Sequence, residues 1–118
     1  MRTIIKTTLI KLTPEISEYV EKRLMTLDRF ISPDDTTAFA EVEIGRSTEH
    51  HQKGNVFRAE IQVSSKGNLF RAVAEKEMLY DAIDTAKNEA ARELRRHKNK
   101  NAGLLKRGGA RLKRLFRE

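Results

Sequence analysis

Apolar residues change their spacing along the chain, and the first part of it predicts a strand followed by a helix. Residues 3–10 (TIIKTTLI) are β-branched and apolar, which is typical of a strand. Thr13 followed by Pro14 indicates a helix start, because threonine caps helix N-termini and proline fits the first helical position. Apolar residues then recur at helical spacing as far as Ile31, so the helix is expected to run until Pro33 ends it.

Three later segments alternate apolar and polar residues with a period of two, which predicts three more strands. They cover residues 37–44, 57–63 and 70–74. A polar, glycine-bounded stretch at residues 45–54 predicts a long hairpin loop, and residues 65–68 (SKGN) predict a tight turn. The three strands should therefore form an antiparallel meander.

A helical period returns after the last strand and persists longer than anywhere else in the chain. From Glu77 to Lys98 the apolar residues lie on one stripe, with no glycine or proline between them. Acidic residues occupy the first turns and basic residues the last, the order that the helix macrodipole favours. Beyond Asn101 two glycine breaks predict a loosely structured tail, within which residues 110–118 (ARLKRLFRE) could form a short basic helix.

The element order is therefore β-α-β-β-β-α, which predicts an α+β fold with one four-stranded sheet and two helices on one face. The first two strands should lie parallel, because the connection between them passes through a helix in a right-handed crossover. We expect residues 1–100 to form this domain and residues 101–118 to form a basic C-terminal tail. The other sheet face should be solvent-exposed, and it carries Glu41, Glu43, Arg58, Glu60, Gln62 and Arg71.

Positive charge is concentrated in the C-terminal quarter of the chain. The whole chain has a net charge of +7, but residues 92–118 alone hold 11 Lys or Arg against 2 Glu. Arg92, Arg95 and Arg96 should share one side of the long helix, where their repulsion is tolerated if a polyanion compensates it. The tail extends this basic stripe through Lys106, Arg107, Arg111, Lys113, Arg114 and Arg117. A polyanionic partner is therefore expected.

The chain offers little for catalysis or metal binding. It has no cysteine, which excludes disulfides, thiolate zinc sites and a cysteine nucleophile. His50 and His51 are adjacent and lack a further ligand at helical spacing, so two solvated loop residues are expected rather than a metal site. His97 lies among cations, where it suits a phosphate neighbourhood better than general-base catalysis. We therefore expect no enzyme activity, no metal, no cofactor and no small-molecule substrate.

Besides a specific RNA site, two other partners are possible: a membrane surface and double-stranded RNA in general. No apolar run is long enough for a membrane span and the N-terminus has no apolar leader, so a cytoplasmic protein without membrane contact is expected. The tail could still lie on a membrane surface, since it carries Leu104, Leu105, Leu112, Leu115 and Phe116 among its arginines. Structured RNA is favoured, because a sheet backed by two helices with basic ends can span RNA grooves through phosphate contacts. A general double-stranded RNA-binding module is the second alternative.

Two stretches of the sequence resemble a known family. Residues 49–63 (EHHQKGNVFRAEIQV) and residues 68–100 (NLFRAVAEKEMLYDAIDTAKNEAARELRRHKNK) are similar to the core of bacterial ribosome hibernation-promoting factors, also called ribosome-associated inhibitors. The opening strand and the TPEISEYVEKRL helix match in order and spacing, so the resemblance covers about residues 1–100. It implies a domain similar to double-stranded RNA-binding folds.

The resemblance also implies a function and a binding site. The family lies on the small ribosomal subunit, in the channel used by mRNA and by tRNA in the A and P sites, and holds idle ribosomes inactive. The expected partners are the 30S subunit, the 70S ribosome and 16S rRNA, with a monomer off the ribosome. The matching rRNA-binding positions are Lys22, Arg23, Arg29, Lys53, Arg92, Arg95, Arg96, Lys98 and Lys100. Long members carry a C-terminal dimerisation domain, whereas this chain resembles a short form with a basic tail.

Overall fold

The structure is a computed structural model with the predicted α+β architecture and the order β-α-β-β-β-α. It describes the backbone of residues 1–47 and 56–117 and the side chains of residues 1–47 and 56–100. The elements are β1 (Arg2–Thr8), α1 (Pro14–Met25), a 3₁₀ turn (Asp28–Phe30), β2 (Phe39–Arg46), β3 (Phe57–Ser65), β4 (Asn68–Lys76) and α2 (Leu79–Arg117).

The four strands form one sheet in the order β1-β2-β3-β4. The strands β1 and β2 are parallel, with Ile5 opposite Val42, and the other two pairs are antiparallel. This topology confirms the crossover and the meander that the sequence predicts. Because α1 forms the crossover and α2 follows β4, both helices can lie on the same face and leave the other face open.

Both helices pack their apolar stripes on one face of the sheet. The buried core has three parts. The segment of α1 and the 3₁₀ turn contributes Val20, Leu24 and Leu27, and α2 contributes Ala82, Ile83, Ala86, Ala90, Ala91 and Leu94. The sheet contributes the alternating residues Ala40, Val42, Ile44, Ala59, Ile61, Val63, Ala72 and Ala74. Each fully buried valine, leucine or isoleucine contributes about 1.5–3 kcal/mol to folding. The many alanines on α2 let this helix approach the sheet closely. The core thus holds α2 over β3 and β4 as far as Leu94.

The helix α1 ends earlier than its apolar stripe predicts. It stops at Met25, where the hydroxyl of Thr26 donates to the carbonyl oxygen of Arg23 at 2.6 Å. The chain then tightens into the 3₁₀ turn, and this turn keeps Leu27 fully buried. The stripe therefore predicts burial correctly, but the backbone that achieves it is not one continuous α-helix.

The helix α2 continues well past the predicted end at Lys98. It runs to Arg117, so the prediction of a loosely structured segment after Asn101 is wrong for the backbone. A glycine inside a helix costs about 1 kcal/mol relative to alanine, which weakens a helix without forcing it to end, and no proline is present in this segment. The 39 residues of α2 span about 58 Å at 1.5 Å per residue. No helix in the described part of the chain has an apolar stretch long enough to cross a membrane.

The β3–β4 turn is joined to the connection that leads into β2. Lys66 and Gly67 both have positive φ angles, 49° and 79°, as a two-residue type I′ hairpin turn requires. The carboxylate of Asp35 accepts hydrogen bonds from the Ser65 hydroxyl at 2.8 Å and the Lys66 amide at 3.1 Å. Hydrogen bonds from the side chains of Thr37 and Ser65 hold the pKa of Asp35 below its usual value. The carboxylate is therefore a structural link between the turn and the segment that precedes β2.

Gly45 in β2 permits the close approach of β1. It pairs with Thr8, and an added Cβ would overlap the Thr8 carbonyl oxygen and lie 2.9 Å from its carbonyl carbon. Since both obstacles are backbone atoms, Gly45→Ala should push the strands apart and destabilise the fold by about 1–3 kcal/mol. Urea unfolding measures this loss, with Arg46→Ala in the same strand as the control. Equal stabilities of the two variants would show that β1 moves aside without cost.

Candidate nucleic-acid interface

The two helices meet along a line that we call the interhelical seam. On one side it is formed by Tyr19 and Arg23 of α1 and by Arg29 and Phe30 of the 3₁₀ turn, and on the other by Tyr80, Asp84, Arg95 and Lys98 of α2. The α2 residues are separated by whole numbers of helical turns or nearly so, which brings them to one side of the helix. The seam therefore collects functional side chains from elements that are distant in sequence.

Three cations converge at the end of the seam where the 3₁₀ turn contacts α2. The guanidinium of Arg29 lies 4.7 Å from the centroid of the Phe30 ring, and that of Arg95 lies 5.8 Å from it. The Lys98 ammonium donates to the backbone carbonyl oxygen of Arg29 at 2.9 Å. We call Arg29, Arg95 and Lys98 the basic cluster.

The basic cluster is exposed and carries uncompensated positive charge. Among the described side chains, no carboxylate forms an ion pair with any of its three members. Contact with the face of Phe30 offsets part of the repulsion between the two guanidinium groups, by about 0.5–1 kcal/mol for each. An anion bound at this position would offset more, because it would interact with all three charges at once. The cluster is thus suited to a phosphate group.

The opposite end of the seam is an internal network that uses Arg23. The Arg23 Nε contacts Asp84 Oδ1 at 2.9 Å, and its Nη2 donates to the Tyr19 hydroxyl at 3.1 Å. The Tyr19 hydroxyl donates to both carboxylate oxygens of Asp84 at 2.8 Å. Burial raises the pKa of Tyr19, and the nearby Asp84 carboxylate raises it further, while Arg23 acts in the opposite direction. Arg23 therefore joins the two helices, and the rRNA contact that the resemblance implies for it stays a prediction.

The other predicted cations of the described region are exposed but do not all face the basic cluster. Lys22 pairs with Glu18 at 3.1 Å, and Arg96 pairs with Glu93 at 3.4 Å. Such exposed pairs within one helix contribute only about 0.3–0.5 kcal/mol, so either cation can exchange its partner for a phosphate. Arg92 and Lys100 also lie at exposed positions on α2.

Part of the predicted site lies outside the described residues. This holds for Lys53 of the hairpin loop, for His50 and His51, and for the side chains of Lys106, Arg107, Arg111, Lys113, Arg114 and Arg117. Only the backbone of the last group is described, as part of α2.

His97 does not join the basic cluster. Its ring packs edge-on against Phe70 with 5.1 Å between centroids, and its Nε2 lies 3.4 Å from the side-chain nitrogen of Asn68. The half-buried imidazole therefore faces β4, while Arg95 and Lys98 on the same helix face the 3₁₀ turn. The interpretation of His97 as a phosphate neighbour stays a prediction, although its ring points away from Arg95, because residues two positions apart on a helix point in different directions.

Sequence reasoning missed the aromatic residues of the seam. The chain has two tyrosines, Tyr19 and Tyr80, and their ring centroids lie 4.3 Å apart across the two helices. Phe30, whose ring centroid lies 4.7 Å and 5.8 Å from two guanidinium groups, was not singled out either. The signal that could have found the tyrosine pair is their position on the facing sides of two amphipathic helices.

The centre of the open sheet face holds a group of paired charges. The Glu60 carboxylate accepts hydrogen bonds from Arg71 Nε at 2.8 Å and from Arg58 Nη2 at 3.1 Å. The Glu60 side chain is only 12% exposed. Burial alone would raise the pKa of Glu60, but the hydrogen bonds and charges of Arg71 and Arg58 outweigh burial and lower it. At the centre of this face, Arg58 and Arg71 are thus engaged by a carboxylate, unlike the three cations of the basic cluster.

The low pKa of Glu60 predicts a loss of stability in acid. Glu60 contributes stability above its unfolded pKa of about 4.3, and this contribution is lost as pH falls through the lower folded value. Glu60→Gln should thus cost about 1 kcal/mol at neutral pH and progressively less in acid. Urea unfolding from neutral pH to about pH 2 measures the difference. The same pH dependence for Glu89→Gln, on the exposed side of α2, would contradict a specific role for Glu60.

Comparison with known proteins identifies the family. A family model described as Sigma 54 modulation protein / S30EA ribosomal protein matches residues 3–102. A ribosome hibernation promotion factor of Picosynechococcus sp. is 30% identical over 106 residues, which cover 87% of this chain and 52% of the relative. One from Deinococcus radiodurans is 31% identical over 91 residues, covering 77% of this chain and 46% of the relative. The chain thus spans about half the length of these curated relatives.

Solved structures agree with this result. The N-terminal domain of Thermus thermophilus Protein Y has 33% sequence identity and a TM-score of 0.68, with 82% of this chain and 99% of that domain covered. A ribosomal subunit interface protein from Coxiella burnetii, at 18% identity and a TM-score of 0.64, covers 84% of this chain and shares the fold. The resemblance predicted from the sequence is confirmed, and the chain belongs to the Sigma 54 modulation protein / S30EA ribosomal protein family.

Proposed function

We propose that this chain binds the small subunit of idle ribosomes and inhibits translation by occupying the channel for mRNA and tRNA. The observation that carries the proposal is the basic cluster, in which Arg29, Arg95 and Lys98 converge on the helix face without a described carboxylate partner. A cationic surface of this kind attracts a polyanion and releases its counterions on binding. The names of its relatives, ribosome hibernation promotion factors, support a ribosome as that polyanion.

The proposed contacts with 16S rRNA differ in how directly each residue is expected to contribute to affinity. The basic cluster and the exposed residues Arg92 and Lys100 contact phosphates directly, while Lys22 and Arg96 contribute after exchanging their surface ion-pair partners. Arg23 acts by positioning α1 against α2, since its guanidinium is engaged by Asp84 and Tyr19. Lys53 and the basic residues beyond Lys100 are further candidates for phosphate contacts.

The proposed action is steric and needs no cofactor or chemical step. A domain with a basic face can occupy an rRNA-lined channel and exclude mRNA and tRNA simply by volume. Phosphate contacts position the protein without reading sequence, so binding should depend on the shape of the rRNA. We expect the protein to act as a monomer in the cytoplasm, where ribosomes are available to it.

The decisive experiment is sedimentation of the purified protein with 30S subunits, 50S subunits and 70S ribosomes, followed by a sucrose gradient of a stationary-phase lysate. The proposal predicts the protein in the 30S and 70S fractions, with an affinity that falls steeply as salt rises. Equal affinity for a naked RNA duplex would support the general double-stranded RNA module instead. Co-sedimentation with liposomes but not with ribosomes would support a membrane-surface protein. Binding to 50S subunits alone would also contradict the proposal.

A further inference from the structure

The tyrosine pair at the far end of the seam is a second feature that charge alone does not explain. Tyr80 lies in the first turn of α2 and is 41% exposed, although it is a large aromatic residue. Its neighbour Tyr19 is held by hydrogen bonds to Asp84 and Arg23, and the Arg23 guanidinium lies 4.8 Å from the Tyr19 ring centroid. The Tyr19 ring is thus fixed in the fold, and the Tyr80 ring that packs against it is exposed at the surface.

We propose that Tyr80 is a stacking site for one unpaired nucleobase of the RNA that the basic cluster binds, an inference that rests on the proposed function. An aromatic ring that is already held in place loses little conformational freedom on binding, so stacking on it is favourable. RNA offers unpaired bases in its loops and bulges, and these stack on aromatic side chains. The chemical class of the ligand at this position is therefore an exposed base in structured RNA.

The position of Tyr80 relative to the basic cluster fits one continuous ligand. Tyr80 and Arg95 both face the seam, and their separation of 15 positions on α2 corresponds to about 22 Å along the helix axis. An RNA strand can therefore contact the basic cluster through its phosphates and reach Tyr80 with a base several nucleotides away.

The charges beside Tyr80 restrict what can bind there. Glu77 and Asp81 are exposed near this end of α2, and Asp84 is neutralised by Arg23. Carboxylates at this position repel a phosphate, so the RNA backbone must stay away from it. They can accept hydrogen bonds from the amino groups of bases, as acidic side chains do with cytosine. The local chemistry thus favours a base that projects away from its backbone.

Substitutions that change the ring but not the charge test this inference. Tyr80→Phe keeps the ring and should bind 30S subunits within about twofold of the unaltered protein, whereas Tyr80→Leu should lose about 5- to 150-fold in affinity. The slope of affinity against salt should be the same for both, because no phosphate contact is removed. Phe39→Leu, the same kind of change on the open sheet face, is the matched control and should bind normally.

Chemical probing of 16S rRNA gives the second readout. The unaltered protein should protect one unpaired base from dimethyl sulfate, and Tyr80→Leu should lose this protection while hydroxyl-radical protection of the backbone persists. If Tyr80→Leu binds with unchanged affinity and protects the same base, the stacking site is wrong and the proposed function stands. If the unaltered protein does not bind ribosomes, both are wrong.

A measurement without substitution covers the case in which Tyr80→Leu does not fold. Ultraviolet irradiation of the complex joins stacked aromatic residues to bases, and mass spectrometry of the digested protein locates the adduct. An RNA adduct on Tyr80 supports the stacking site. Adducts on other residues with none on Tyr80 overturn it.

Discussion

Reversing two charges of the basic cluster, Arg29→Glu with Arg95→Glu, is expected to weaken binding to 30S subunits by roughly 100-fold or more. Each residue is proposed to form a charge-assisted contact with a phosphate, and such contacts contribute about 1.5–3 kcal/mol each. The introduced carboxylates also repel the phosphates. The two residues come from different elements but share the Phe30 ring, so both changes act at one place. The affinity is measured by sedimentation or filter binding at a fixed salt concentration.

The stability of this double variant is expected to fall only slightly. Both side chains are exposed, and the lost contacts with Phe30 are worth about 0.5–1 kcal/mol each. The matched control is Arg2→Glu with Lys6→Glu, which changes the net charge equally but lies on exposed positions of β1. The control should bind within about fivefold, through long-range electrostatics alone. Equal losses for the two double variants would show that net charge, rather than the basic cluster, determines binding.

Deleting residues 101–118 is expected to preserve the fold and to lower ribosome affinity by about tenfold or more. The last buried residue described is Leu94, so the truncated chain keeps every described core residue. The deletion removes six basic side chains and Glu118. For each phosphate contact that is lost, the slope of log affinity against log salt should become shallower by about 0.7–0.9. Thermal melts and 30S binding at several salt concentrations check both parts.

The competing idea is that apolar residues beyond Lys100 fold back and complete the core. In that case truncation would lower the melting temperature and leave the salt slope unchanged. The continuous course of α2 to Arg117 argues against it, because an unbroken helix cannot reverse its direction. A full-length variant with glutamine at the six basic positions of residues 101–118 separates charge from length. It should bind as weakly as the truncated protein, and binding as tight as that of the unaltered protein would contradict a role for these charges.

Much of the fold could be predicted from local patterns in the sequence. Period-two alternation defines β2, β3 and β4, and Thr13 with Pro14 defines the start of α1, where the Thr13 hydroxyl accepts from the Ile16 amide. The crossover between β1 and β2 followed from chain topology. The ends of the helices were less predictable. Leu27 is buried by a 3₁₀ turn and not by a longer α1, and α2 continues through glycines that were expected to end it.

The candidate site was less predictable than the fold, because its contacts join distant parts of the chain. The sequence marks Arg95 and Lys98 as basic helix residues and Arg29 as a basic residue near a helix end. It does not show that Phe30 brings Arg29 and Arg95 together, since no periodicity connects the two segments. The same limit applies to Arg23, which the sequence treats as one more cation and the structure pairs with Asp84.

The parallel pairing of β1 with β2 has a consequence for the order of folding. In the register of the sheet, Arg2 pairs with Phe39, whereas Ser65 pairs with Asn68 across a two-residue turn. Closing the longer loop costs about 2 kcal/mol more in chain entropy, so the β3–β4 hairpin can form well before β1 docks. We therefore expect β1, the first strand of this sheet to be synthesised, to join it last, and until it does the edge of β2 is left without a neighbour.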